Sequence, residues 1–205
     1  MAKANNTGFY PMWEPEAEEC EDGLMDELLI DLSRQRHNAT LYRDEIIREI
    51  SAILLSGMKP NALLVGPAGC GKTNIVEELA WRIKKKQKSI PPALYGFKVV
   101  SLSLSDIVSG CGLVGELERK VRNLVDYLEK KDNRVILFLD EVHILFGGES
   151  YKKVAQILKP ALSRGKFMVI AATTTQEVKK VDEDPAFNRR FTRVLVDELT
   201  LEQTK

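Results

Sequence analysis

The chain has 205 residues, enough for one α/β domain with a full core and too few for two such domains and a linker. Lys and Arg number 30 and Asp and Glu 30, so no net positive field draws the chain to nucleic acid or to anionic lipid. Three cysteines, Cys20, Cys70 and Cys111, stand far apart without a histidine cluster, which points to neither a disulfide scaffold nor a zinc site. No apolar run reaches the length of a membrane span and residues 1–15 lack the apolar core of a secretion signal, so a soluble, cytoplasmic protein is expected.

Residues 1–36 form an acidic N-terminal segment, with Glu14, Glu16, Glu18, Glu19, Glu21, Asp22, Asp26 and Glu27 beside Phe9, Tyr10, Met12 and Trp13. This composition predicts a flexible arm, or else a docking strip for a neighbour, with a short amphipathic helix over residues 24–32. The folded unit is expected over residues 37–199. Its first helix carries Ile46, Ile47, Ile50, Ile53 and Leu54 on one face and ends at Gly57 as a left-handed cap.

The apolar run Ala62-Leu63-Leu64-Val65 reads as a strand and leads into Gly66-Pro67-Ala68-Gly69-Cys70-Gly71-Lys72-Thr73, a match to G-x-x-x-x-G-K-[ST]. In such a loop the glycines let backbone N–H groups wrap an anion, the following helix N-terminus adds its positive end, and the lysine supplies a mobile charge. Pro67, Ala68, Gly69, Cys70, Gly71, Lys72, Thr73 and Asn74 are therefore candidate nucleotide-binding residues, with Thr73 a candidate Mg²⁺ ligand. Ile75, Val76, Leu79, Ala80 and Ile83 give the next helix its buried stripe, and Lys84-Lys85-Lys86-Gln87-Lys88 closes it as a solvated, dipole-matched end.

A strand follows over residues 99–104, then an amphipathic helix marked by Leu117, Val121, Leu124, Val125 and Leu128. Val135-Ile136-Leu137-Phe138-Leu139 suits a strand buried on both faces, and it ends in Asp140-Glu141, a Walker B pattern. Carboxylates at that end of a parallel strand fall where open α/β sheets bind ligands. Asp140 would hold Mg²⁺ and Glu141 would orient and deprotonate the attacking water. A helix over residues 154–162 and strands over 167–172 and 194–196 complete five strands alternating with helices, an α/β fold with a parallel sheet.

These motifs together resemble the AAA+ ATPases, and within them the first ATPase module of the Clp-type unfoldases and disaggregases. The resemblance rests on Tyr42-Arg43-Asp44-Glu45, on residues 66–82 and 135–143, on Leu158-Lys159-Pro160-Ala161-Leu162-Ser163-Arg164-Gly165, on Ala172-Thr173-Thr174 and on Phe187-Asn188-Arg189-Arg190-Phe191. It implies a three-layer αβα P-loop NTPase fold with a five-stranded parallel sheet, and a ring of subunits, usually a hexamer, with ATP at each interface. It also implies that Thr174 senses the γ-phosphate, that Arg189 and Arg190 are arginine fingers reaching the neighbour's ATP, and that Leu41 and Tyr42 lie against adenine. His143 is expected to pack or cap rather than to act on substrate.

The chain departs from the family pattern in three places. Tyr42 stands where a glycine is usual. Leu113, between glycines, stands where an aromatic residue grips threaded polypeptide, so contact with a protein substrate would run through Leu113. Thr200-Leu201-Glu202-Gln203 opens a helix by its capping-box pattern, and the helical lid that follows it in the family is absent from the 205 residues. The leading expectation is an ATP-hydrolysing, Mg²⁺-dependent module that remodels proteins. A loader for a nucleic-acid machine and a non-catalytic ATP-gated adaptor stay open.

Overall fold

A computed structural model describes residues 28–35, 40, 42–57, 59–109, 114–130 and 134–199. The expectations for the arm up to residue 27, for Leu41, for the Leu113 loop and for the helix start at residue 200 lie outside these described residues.

Strand β1 (Leu29–Asp31) pairs antiparallel with β3 (Lys98–Leu102), and β2 (Asn61–Gly66), β3, β4 (Val135–Leu139), β5 (Met168–Thr174) and β6 (Thr192–Leu195) run parallel. The order across the sheet is β1-β3-β4-β5-β2-β6. The five expected parallel strands are present, and β1 makes a sixth. This corrects two expectations: the boundary at residue 36 falls after an element of the sheet, and strand replaces helix over Leu29 to Asp31. The physical reason is the unpaired N–H and C=O row that β3 would otherwise leave at the sheet edge.

The inner strands β2 and β4 are buried along their whole length. Helices α1 (Asp44–Leu54) and α2 (Lys72–Lys84) cover one face, where Ile47, Ile50, Leu54, Ile75, Leu79 and Ile83 meet Leu64, Phe138 and Ile170. Helices α3 (Leu104–Ser109), α4 (Val114–Glu129) and α5 (Glu149–Arg164) cover the other, where Leu117, Val121, Leu124, Leu158 and Leu162 meet Leu63, Leu137 and Ala171. This is the three-layer αβα arrangement. Two short helices, α6 (Val178–Asp182) and α7 (Pro185–Asn188), link β5 to β6.

Local chemistry sets the boundaries. Helix α1 starts at Asp44, because Tyr42 has φ 58° and Arg43 is non-helical. Its C-cap, Leu55, is in the right-handed region, so Gly57 is not its left-handed cap. The strand expected to reach Leu104 stops at Leu102, because the Ser103 hydroxyl accepts from Asp106 N at 3.3 Å and caps α3.

Candidate functional site

The phosphate loop leaves β2 at Gly66, where an added Cβ would lie 2.1 Å from the Val196 carbonyl oxygen. No side chain fits there without moving the backbone that follows β6. Gly69 and Gly71 have φ of 78° and 87°, the left-handed region open to glycine. Gly71 then caps α2, whose first residues are Lys72 and Thr73.

Lys72, only 8% exposed, donates from Nζ to the carbonyls of Gly66 at 3.0 Å and Pro67 at 2.7 Å, with Cys70 Sγ at 3.7 Å. Thr73 Oγ1 donates to Asp140 Oδ2 at 2.6 Å across 67 residues of sequence. The other Asp140 oxygen accepts from Glu141 N at 2.9 Å. Glu141 has φ 50°, a conformation that costs a non-glycine residue about 1–3 kcal/mol, and its carboxylate is exposed beside the loop. It caps a 3₁₀ turn over Val142–Phe146.

A cavity of about 390 Å³ opens here. Of the expected residues it is lined by Ala68, Gly69, Gly71, Lys72, Thr73, Asn74, Asp140, Glu141 and Thr174. Pro67 and the buried Cys70 are not part of the lining. Tyr42, 61% exposed, is not part of the lining. Two residues without an expected role at the cavity do line it: Thr173 and His143, joined Oγ1 to Nδ1 at 3.3 Å. His143 reaches the cavity because the 3₁₀ turn over Val142–Phe146 starts directly after the Asp140-Glu141 pair. Thr174 Oγ1 accepts from Glu177 N at 3.1 Å.

The arginine pair lies elsewhere. The Arg190 carbonyl accepts from Asn61 Nδ2 at 3.1 Å, at the first residue of β2, whereas the phosphate loop leaves the last. Six strand residues separate these ends by about 17 Å, beyond the reach of an arginine to its own loop. Arg189 is exposed, while Arg190 turns Nε to Ser163 on α5 and keeps Nη1 buried without a partner among the described residues. Burial, and then the neighbouring Arg189 charge, disfavour the charged form of Arg190, with Asp184 opposing.

A model of the ATPase family associated with various cellular activities (AAA) matches residues 62–199, a span that begins in β2 and takes in both the phosphate loop and the arginine pair. The chain belongs to the AAA ATPase family. The ClpB chaperone of Meiothermus ruber is 39% identical over 182 residues, covering 85% of this chain and 21% of that protein. The AAA module also superposes on the Saccharomyces cerevisiae Hsp104–ADP complex with a TM-score of 0.79 at 36% identity, over 88% of this chain and 26% of the other. The S. cerevisiae Hsp104–casein complex, in its extended conformation, gives 0.79 at 35%, over 88% and 31%. The chain spans about a fifth of the length of the curated relatives it matches.

As an AAA module the chain binds nucleotide. The donor set also suits a hard divalent cation. Thr73 and Asp140 present two adjacent oxygens, and no cluster of three or more His, Cys, Asp or Glu side chains forms a full protein cage among the described residues. A small cation that keeps water and phosphate oxygens in its shell, such as Mg²⁺, fits such a partial set. No described helix is long and apolar enough to cross a membrane.

Proposed function

We propose that this chain hydrolyses ATP as one subunit of a ring, most simply a hexamer, and uses the energy to remodel protein substrates in the cytoplasm. The observation that carries this reading is the 2.6 Å contact between Thr73 and Asp140, which brings the phosphate loop and the Walker B carboxylates to one cavity.

The loop amides from Gly69 to Thr73 and the start of α2 bind the β- and γ-phosphates. Lys72 exchanges its two carbonyl contacts for phosphate oxygens. Thr73 and Asp140 would hold Mg²⁺, which would supply positive charge to neutralise the phosphates during transfer. Glu141, the adjacent exposed carboxylate, accepts the proton of the attacking water, and Thr174 contacts the γ-phosphate. Leu41 and Tyr42 contact adenine. Arg189 and Arg190 stand too far from their own loop, so they serve a neighbour's ATP, where such a group contributes roughly 10³- to 10⁵-fold in rate. The casein-bound relative supports a protein substrate, and Leu113 is the contact proposed for it.

Turnover measured against protein concentration tests this reading. Specific activity should rise with concentration as interfaces form, and unfolded casein should stimulate it. Activity that is constant down to high dilution would overturn the interface.

A further inference from the structure

Arg43 precedes α1 and is 6% exposed, yet no carboxylate pairs with it among the described residues. Its Nη2 instead donates to two backbone carbonyls from distant parts of the chain: Cys70 O in the phosphate loop at 3.0 Å and Asp197 O, just past β6, at 2.8 Å. The Cys70 carbonyl belongs to the same peptide unit as the Gly71 amide, and in a trans peptide the two point in opposite directions. A guanidinium anchoring the carbonyl on one side therefore presents the Gly71 N–H to the other, and Gly71 lines the phosphate cavity. Donation to the carbonyl also polarises the peptide and strengthens that N–H as a donor to an anion. Gly71, at φ 87°, is a glycine whose neighbouring peptide could otherwise rotate.

The second acceptor extends the same link. Val196 N donates to Val65 O at 2.8 Å and the Val196 carbonyl abuts Gly66, so the backbone leaving the sheet lies directly against the start of the loop. Arg43 closes the far side of that contact. Three segments, the approach to α1, the phosphate loop and the exit from β6, thus share one buried cation.

We propose that Arg43 is a positioning residue of the phosphate site: its buried guanidinium fixes the Cys70–Gly71 peptide in the anion-facing orientation and couples it to the backbone leaving the sheet at Asp197. The inference rests on the nucleotide-binding reading of the loop. It assigns Arg43 no contact with the ligand.

The test uses the 205-residue chain, with ADP and Mg²⁺ as the probe, in wild-type, R43K and R43M forms. R43M should bind ADP at least tenfold more weakly, and R43K, which keeps the charge and one carbonyl contact, should recover part of the loss. Hydrogen exchange supplies a readout that lost stability alone would not produce. In wild type, ADP should slow exchange both in the loop over residues 66–73 and in residues 196–198; in the variants, protection should persist in the loop and fade at 196–198. If R43M does not fold, R43K and the wild-type exchange pattern decide. Wild-type ADP affinity in the variants, or no response of residues 196–198 to ADP in wild type, would overturn the proposal. Failure of wild type itself to bind ADP would bring down the nucleotide reading instead.

Discussion

The two ends of the parallel sheet differ in what they hold. At the strand exits, glycines at φ 78° and 87°, Glu141 at φ 50° and a Lys72 side chain folded under its own loop crowd around a polar cavity. At the strand starts, backbone strain is absent from the arginine turn, Arg190 leans on Ser163, and Arg189 reaches solvent. On the function proposed above, one end binds phosphate and the other supplies positive charge to a neighbouring copy, so that a single copy would carry both halves of a site at positions that cannot meet within it.

Breaking the arginine half should have the largest effect. Replacing Arg189 and Arg190 together by alanine is expected to lower turnover by roughly 10³- to 10⁵-fold while leaving ADP affinity within a factor of about two, as read by steady-state hydrolysis and titration calorimetry. Breaking chemistry at the phosphate end comes next. Glu141→Gln should cost roughly 10²- to 10⁴-fold in hydrolysis with nucleotide binding intact, and equal loss of binding would place Glu141 in the wrong role. Lys72→Ala removes a charged donor and should weaken ATP by about 10- to 100-fold.

Smaller effects sharpen the contrast through stability. Gly66→Ala forces a Cβ against the Val196 carbonyl and should cost about 3 kcal/mol, seen as a lowered urea midpoint. At the other end, Asp184 caps α7 and pairs with Lys159 ahead of the arginine turn. Burial pushes this carboxyl up, but the Lys159 hydrogen bond and the Phe187 amide outweigh it and hold Asp184 below its ordinary value of 3.8. A carboxylate depressed in the folded state stabilises at neutral pH, and the contribution is lost as pH falls through that depressed value. Asp184→Asn keeps a capping side chain, so the partly exposed ion pair alone is lost, about 1 kcal/mol or a Tm shift of about 2–4 °C. The difference from wild type should be full at pH 7 and shrink as the pH is taken below 3.8.

Much of the phosphate end was legible in the sequence, because its parts are contiguous and each has a strong local signature. Buried apolar runs gave away the inner strands, and the loop and the Asp140-Glu141 pair sit at their ends. Elements set by distant partners were not legible. Strand β1 is three residues with Ile30 exposed, too short for a periodic signal, and it exists because β3 offers a free edge. Arg43 and Asp197 lie 154 residues apart, and nothing local marks a cation that will bond only carbonyls. Thr173 and His143 meet because β5 and a 3₁₀ turn converge at the cavity. The inward turn of Arg190 depends on Ser163, 27 residues away, so adjacency in sequence hid a difference between the two arginines.

The central claim, a catalytic site completed by two copies, is tested most directly by mixing two inactive proteins. Glu141→Gln supplies intact arginines without a working carboxylate, and Arg189→Ala/Arg190→Ala supplies the reverse. Mixed in equal amounts at a concentration where wild type is active, they should regain hydrolysis well above the sum of the separate rates. A mixture as inactive as its components, beside an active wild type, would contradict the account.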